Sequence, residues 1–494
     1  MDRVGAATSH SFREKLVEKA LRALKAFFGG IRLEYLPVLL VYFAYGAAGI
    51  TSVAATFWIK KHLNLGPEAL AAISFWIAVP WTMKMVFGQF ADSIRILGSA
   101  RRIYLVIGAL LIAAGQFTIL GMVLEWPLVM SLGTPGNLLL VATLISVLGF
   151  VLQDVVADAM SAEVVRREDP RTGEPRAQKD IDAEIGQVQW LGRVAIMTAS
   201  VLVAGAGGWL AKAYGYAFVY QLALGIPALS LLAAAVVKPI PLPRSSLNWW
   251  ILGGGLLFAG FATGLKILTI PYAEEIVFMA SLAVLVMLLG KLGITKALVV
   301  SAAILFVFRA TPGTGAGTSW WMIDVLGFDE NFQGWLAQIG TVLGLAGLFI
   351  FRKFVTEKPI HVTLAWLTVI GAVLYLPTIG LYYGVHQMIG LPAKIVAVAD
   401  TAVSAPFGAL SMVPLLMLIA RSAPAGQVAT WFALMASLMN LALSGGELGT
   451  IYMNRIFLVE RGHYENLGAL MLSVWSVSLV APLAVILLFK KHLK

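Results

Sequence analysis

The sequence predicts an all-α polytopic membrane protein with fourteen transmembrane helices, ordered as six, two and six. Three observations predict it: a very apolar composition, apolar runs long enough to span a bilayer, and an internal repeat. Of 494 residues, 59% are hydrophobic and 13% charged, with a mean hydropathy of +0.86. Soluble domains are about 45–50% apolar and about 25% charged. The run LPVLLVYFAYGAAGITSVAATFWI, Leu36 to Ile59, exceeds the roughly 20 residues a spanning helix needs. Long continuous runs favour helices over the alternating strands of a membrane barrel.

Residues 1–34 read as a cytoplasmic amphipathic segment. Its core, SFREKLVEKALRALKAFF (Ser11 to Phe28), is charged throughout and has no continuous apolar centre, unlike a signal peptide. Ser11 and Glu14 fit a capping box, and the apolar side suits a helix lying on the membrane face. Spans follow near 36–60, 68–91, 102–124, 136–164, 183–211 and 215–237, forming a first bundle over 35–238. Two more, near 248–268 and 272–290, occupy a linker over 239–293. The last six, near 295–322, 331–351, 361–384, 390–420, 425–451 and 466–489, form a second bundle over 294–494. Between spans, RREDPRTGEPRAQKD (Arg166 to Asp180) reads as a mobile cytoplasmic loop.

An even count puts both termini on one side. With that side inside, the outer segments hold only Lys60, Lys61, Lys212, Lys266, Arg455 and Arg461. Four basic residues lie within spans, and the other 26 of the 36 are on the inner side. This asymmetry places both termini in the cytoplasm, in an inner or plasma membrane. The repeat sets the division into bundles. TFWIKKHLNLGPEAL (from Thr56) is similar to SWWMIDVLGFDENFQ (from Ser319), and GQV at Gly186 returns at Gly426. Parallel six-helix halves are the organisation of the major facilitator superfamily.

Between the second and third spans stands KMVFGQFADSIRILGSARRIYL, Lys84 to Leu105. Gly88, Asp92, Arg101 and Arg102 match the cytoplasmic loop signature of major facilitators: the glycine allows close helix approach, and the charges can latch one conformation. With Gly98 and Tyr104, this pattern resembles the folate–biopterin transporter family. So do Asp154, Asp158 and Glu163 in the fourth span, FRATPGTGAGTSWWMIDVLGF from Phe308, and the stretch from Val398 to Gly449. The resemblance covers about Tyr35 to Ile456, with departures at Met85 and Val428. It implies transport of folates, pterins or S-adenosylmethionine, usually by proton-linked uptake.

Charge inside a span costs at least about 2.5–3.5 kcal/mol on insertion scales, so intramembrane ionisable residues are the candidate sites. Lys84, Arg193, Arg309 and Lys394 are the four basic ones. Asp154 and Asp158 share one helix face; they either hold a proton between them or form a structural pair with Arg193 or Lys84. Arg309 precedes Pro312, Gly313, Gly315 and Gly317, which weaken regular helix, as in transporter helices that line cavities. Its fork suits a carboxylate or a pterin edge; the alternative is a salt bridge to Asp400. The candidate substrate-binding residues are thus Arg309, Asp158, Arg193, Asp400, Gln187 and Lys84. Proton coupling falls to Asp154, Asp158 and Asp400. Gating falls to Gly88, Asp92, Arg101, Arg102, Glu163 and Glu447, with Glu163 expected to meet Arg166 or Arg167. Lys394 is expected to snorkel to the outer interface, and Trp320 and Trp321 to join an interfacial aromatic belt. Asn440 suits cavity lining or interhelical hydrogen bonding.

No cysteine is present, which excludes disulfides and thiolate chemistry. No nucleotide-binding glycine loop with Lys-Ser/Thr and no His-Glu zinc motif occurs, so an enzyme is not expected, and neither cofactor nor metal is implied. The net charge of +10 reflects membrane orientation rather than nucleic acid. The expected partners are a folate, pterin or similar small anion, a proton and the lipid bilayer, with the chain acting as a monomer. Two alternatives stand beside this: a fourteen-span permease for muropeptides, and a non-transporting membrane assembly factor.

Overall fold

Proline and glycine mark several of the places where the spans break. The computed structural model describes residues 32–99, 101–169, 171–237, 247–291, 296–351, 354, 358–408, 410, 412–421 and 428–489. The expected N-terminal amphipathic helix and the Gly426 repeat lie outside the described residues. The first span is α1 (Leu36–Ala47) and α2 (Ser52–His62), joined by a short 3-10 turn. The second is α3 (Pro67–Thr82) and α4 (Lys84–Ser93). Pro80, in the last turn of α3, has no backbone donor to offer the Trp76 carbonyl; the helix ends at Thr82 and a new one starts at Lys84. Helices α5 (Arg102–Val123) and α6 (Pro135–Glu163) are continuous. A break at Ala204 and Gly205 separates α7 (Gln178–Val203) from α8 (Ala206–Tyr214); α9 (Tyr216–Ala223) and α10 (Gly225–Val236) follow.

The intervening pair is α11 (Trp249–Ile267) and α12 (Ala273–Lys291). Then come α13 (Lys296–Arg309), α14 (Ala316–Asp324), α15 (Glu330–Ile350), α16 (Ile360–Tyr382), α17 (Ala393–Gly408), α18 (Met412–Arg421), α19 (Val428–Phe457) and α20 (Leu467–Phe489). Among the described residues, twelve helical segments are long and apolar enough to cross a membrane. The ninth and thirteenth expected spans stand outside those twelve: the ninth is broken into α13 and α14, and the thirteenth is the 30-residue α19.

Packing holds the helices before residue 238 together, and likewise those after 295. Helix α5 lies along α6, α1 along α7 and α10, α15 along α17, and α16 along α20. Small residues permit the closest of these approaches. A Cβ on Gly149 of α6 would lie 2.5 Å from the Gly108 carbonyl oxygen of α5. Beside it, Gln153 donates to the Leu105 carbonyl at 3.0 Å and accepts from Ser230 at 2.9 Å, tying α5, α6 and α10 through one buried amide. Between the two sets, α19 runs along α3 and α8 along α15. Helices α11 and α12 cover the α3–α19 line with an apolar cluster that includes Phe75, Trp76, Val79, Ala262 and Val277.

Charged side chains are arranged differently at the two ends of the bundle. At the Lys60 end, ties cross between the sets. Lys60 pairs with Asp324, Lys61 with Glu330 at 2.6 Å, Lys212 with Asp329 at 3.5 Å, and Glu68 with Arg455 at 2.7 Å. Tyr464 donates to Asp324 at 2.6 Å; burial and that hydrogen bond push its phenol up, so it stays a donor. Here a Cβ on Gly208 would lie 2.4 Å from the Glu330 carbonyl oxygen, so only glycine lets α8 meet α15 this closely. At the Arg101 end, the ion pairs among the described residues all stay within the first set. Arg101 holds Asp92 and Glu163, Arg166 holds Glu34, and Glu184 receives Arg32 and Arg176, each at 2.8 Å.

Three expectations change. The loop after α6 is not free chain: Asp169 and Glu174, Gly173 and Asp169, and Arg176 and Arg167 form backbone hydrogen bonds of 2.8–2.9 Å, and Arg176 anchors it to Glu184. Trp320 and Trp321 are 1% and 4% exposed, packed with Phe328 and Leu467 instead of lying in an interfacial belt. At Gly88 a Cβ would sit 3.5 Å from Val155, an ordinary contact, so α4 and α6 do not need a glycine there.

Gly149→Val should lower thermal stability in detergent by about 1–3 kcal/mol, the usual range for overpacking, because the new methyls meet the backbone of α5. A melting temperature equal to wild type would contradict this account of the α5–α6 contact.

Candidate functional site

The break after α3 and the face of α6 together create the first half of the site. Lys84 opens α4, just past the Pro80 interruption, and its ammonium pairs with Asp154. The same ammonium lies 5.2 Å from the centre of the Trp81 ring. One turn along α6, Asp158 accepts a hydrogen bond of 2.6 Å from the Tyr42 hydroxyl of α1. Tyr45, the next turn of α1, stands edge-on to Trp81 at 6.0 Å and to Phe150 at 5.8 Å. Arg193 is exposed on α7 and forms no ion pair among the described residues; Gln187 is also exposed there.

The two neighbouring carboxylates are therefore not equivalent. Asp154 is neutralised by a fixed cation. Asp158 has a neutral phenol as its hydrogen-bond partner, so it can gain or lose a proton without breaking an ion pair. Of the alternatives left open for the pair, Lys84 meets Asp154, and Arg193 meets neither.

The second half is built around residues 310–315, which are not helical. Gly315 has φ +63°, a left-handed conformation that glycine adopts without a Cβ penalty. The unwound peptide is held from α19: Thr450 accepts from the Gly313 amide at 2.8 Å, and Asn454 donates to the Thr314 carbonyl at 3.4 Å. Gly446 lets α19 approach the Arg309 and Thr311 carbonyls, where a Cβ would stand at 3.4 and 3.0 Å. A cavity of about 400 Å³ adjoins the break, lined by Phe308, Thr311, Thr314, Tyr375, Trp475 and others.

Arg309 ends α13 at this break. Its Nη1 lies 3.4 Å from the Met412 sulfur, and its buried Nε has no hydrogen-bond partner among the described residues. Asp400 is not its counter-ion, contrary to the alternative raised from sequence. One Asp400 oxygen accepts from Thr378 at 2.9 Å, and the other is buried without a partner among the described residues. Arg309 and Asp400 therefore do not neutralise one another.

The gating candidates gather at the Arg101 end with one correction. Arg101 donates from Nε to Glu163 at 3.0 Å and from Nη2 to Asp92 at 2.7 Å. Glu163 is therefore with Arg101, not with Arg166 or Arg167; Arg166 is taken by Glu34. Arg102 is exposed, and its side chain makes no ion pair among the described residues. Glu447 is half-buried in α19, likewise without an ion pair there. Asn440 donates to the Trp81 carbonyl at 3.0 Å and so links α19 to α3. Lys394 is exposed, its ammonium 5.3 Å from the centre of the Phe332 ring.

Sequence reasoning missed Tyr42 and Thr378, the partners of two intramembrane carboxylates. The available signal was weak: Tyr42 and Tyr45 sit one helical turn apart in VYFAYG. No group of three or more His, Cys, Asp or Glu residues that could hold a metal occurs among the described residues.

A model of the BT1 family matches residues 46–493. A folate-biopterin transporter of Synechocystis is 26% identical over 461 residues, 91% of this chain and 80% of that protein. A probable folate-biopterin transporter of Arabidopsis thaliana is 23% identical, covering 90% of this chain and 93% of its own length. In fold, the chain is similar to a crystal structure of a POT peptide transporter, with a TM-score of 0.64, 16% identity and 95% of each chain covered.

Removing one partner of the Lys84–Asp154 pair leaves a poorly solvated charge. Lys84→Met should destabilise by roughly 2 kcal/mol, less than for a fully buried pair. Adding Asp154→Asn should recover part of that loss. Thermal unfolding of the single and double variants in detergent tests this; a double variant no more stable than Lys84→Met would refute it.

Proposed function

The chain belongs to the BT1 family, and from that premise we propose that it is a secondary transporter of folate- or pterin-like organic anions, driven by proton symport. The observation that carries the reading is Arg309: an intramembrane guanidinium at a helix break, whose buried Nε has no hydrogen-bond partner and which has no paired carboxylate among the described residues. A charge held so expensively in a span is a functional site by default. Its planar fork suits a substrate carboxylate or the acceptor edge of a fused heteroaromatic ring. Asp400, Asp158, Arg193, Lys84 and Gln187 complete the proposed binding set.

In this reading Asp158 is the first proton carrier. Its phenol partner leaves it free to titrate, whereas Asp154 serves mainly to neutralise Lys84. Asp400 is the second candidate, with one oxygen that finds no partner among the described residues. The two sets of helices act as bodies that rock about the site, six spans in each and two between, fourteen crossings in all with both termini cytoplasmic. The Lys60 end is then the outer face, and its cross-set ion pairs belong to a state closed to the outside. The Arg101–Glu163–Asp92 cluster sits on the inner face and, with Gly88 and Arg102, belongs to an inner gate, whereas Glu447, in the outer half of α19, belongs to an outer gate.

Uptake of labelled folate into proteoliposomes tests the substrate role. Arg309→Ala should reduce initial uptake at least about ten-fold, the loss of one charge-assisted bidentate contact, without lowering the melting temperature. Uptake at the wild-type level in that variant would sink the assignment. A second measurement separates coupling from binding. Asp158→Asn should abolish accumulation driven by a pH gradient while retaining folate exchange; gradient-driven accumulation by the variant would remove Asp158 from the proton path.

A further inference from the structure

The helices α11 and α12 belong to neither six-span set, and nothing so far gives them a task. Their connecting turn lies at the Lys60 end. Helix α12 opens with two adjacent carboxylates, Glu274 and Glu275, which is favourable at a helix N-terminus. Neighbouring residues on a helix diverge by about 100°, so the two cannot serve one partner. Glu274 accepts from the indole Nε1 of Trp76, on α3 of the first set, at 2.6 Å. Glu275 accepts from the hydroxyl of Tyr452, on α19 of the second set.

The surrounding side chains close this into a ring. Lys266, at the end of α11, lies 3.5 Å from Glu274 and 5.4 Å from the centre of the Trp76 ring. Arg455 lies 5.4 Å from the centre of the Tyr452 ring and reaches back to Glu68 of α3 at 2.7 Å. A cavity of about 570 Å³ sits between these elements, lined by Glu68, Glu274, Glu275, Asn454, Arg455 and Arg461 among others. The ring therefore spans the line where α3 meets α19, and the α11–α12 hairpin is the piece that bridges it from outside both sets.

We propose that the α11–α12 hairpin is a latch that holds the Lys60 end closed, through Glu274 to one set and Glu275 to the other. Separating α3 from α19 at this end requires one of the two hydrogen bonds to break. The Glu274–Trp76 bond is the one that yields, because α12 sets Leu285 in the apolar core of the second set, with Phe278, Leu282 and Leu288 packed against it, and so stays with that set. The latch is independent of which substrate is carried, but it rests on the reading of the two sets as moving bodies.

The chain has no cysteine, so two introduced cysteines can carry spin labels without background. Leu132 and Met388 are 69% and 84% exposed, in connections at the Lys60 end of the first and second set. In the full-length protein in nanodiscs, Leu132→Cys with Met388→Cys should give a distance distribution dominated by one short population. Glu274→Gln and Trp76→Phe should each raise the long-distance fraction at least about five-fold, the effect of losing one charge-assisted hydrogen bond. Glu330→Gln, which breaks a direct tie between the sets, serves as the comparison. If Glu330→Gln opens this end and the two latch variants do not, the latch is refuted while the moving bodies stand. A lower melting temperature with an unchanged distribution in the latch variants also overturns it, reducing the hairpin to packing. If no variant opens this end, the moving-body reading fails and the latch with it.

Discussion

Hydrocarbon does not solvate charge, and the polar architecture of this chain is organised by that constraint. An ionised side chain within a span has to find a counter-charge, a hydrogen-bond partner or water. Lys84 and Asp154 solve the problem for each other. Asp158 solves it with a phenol, and Asp400 with a threonine hydroxyl, which satisfies one oxygen of two. Arg309 is the case least resolved, with a thioether beside it and a buried Nε without a partner among the described residues. Ranking these groups by how completely they are compensated orders them from structural to chemical. That ranking follows from side-chain partners rather than from residue type.

Much of the fold was legible because apolar length and backbone breakers are local properties. The span limits expected from hydropathy fall within a few residues of the helix ends, and the broken span at residues 310–315 falls where Pro312, Gly313 and Gly315 stand. The candidate charges were equally legible, since an ionisable residue in an apolar run identifies itself. Partners were not. Arg101 meets Glu163, Lys60 meets Asp324, and Arg32 meets Glu184, all across long stretches of chain. Such pairings depend on helix rotation and on which helices touch, and neither is written in a single span. Trp320 and Trp321 failed for the same reason: their place near a span end suggested the interface, but the packing of α14 against α19 and α20 buries them.

Among the described residues, the ion pairs also divide by what they join. At the Arg101 end they stiffen the first set from within, through Glu163, Arg101, Asp92 and the anchored loop at Arg176. At the Lys60 end they run between sets and are backed by the glycine contact of α8 with α15. Family membership and the similarity to a solved peptide transporter are consistent with this arrangement of helices, yet neither specifies these side-chain ties.

The two pieces of the broken span have different allegiances. Val300, Ile304 and Leu305 of α13 belong to one apolar cluster with Leu364, Trp431 and Ile486, whereas Trp320 and Trp321 of α14 belong to another with Phe328, Leu467 and Met471. Both clusters also draw on α16, α19 and α20, each of which runs past the break as one helix. Mechanically, the broken span is a cut rod splinted by whole neighbours. The splints carry the load across residues 310–315, so the backbone there is released from the helical ladder without loosening the set around it.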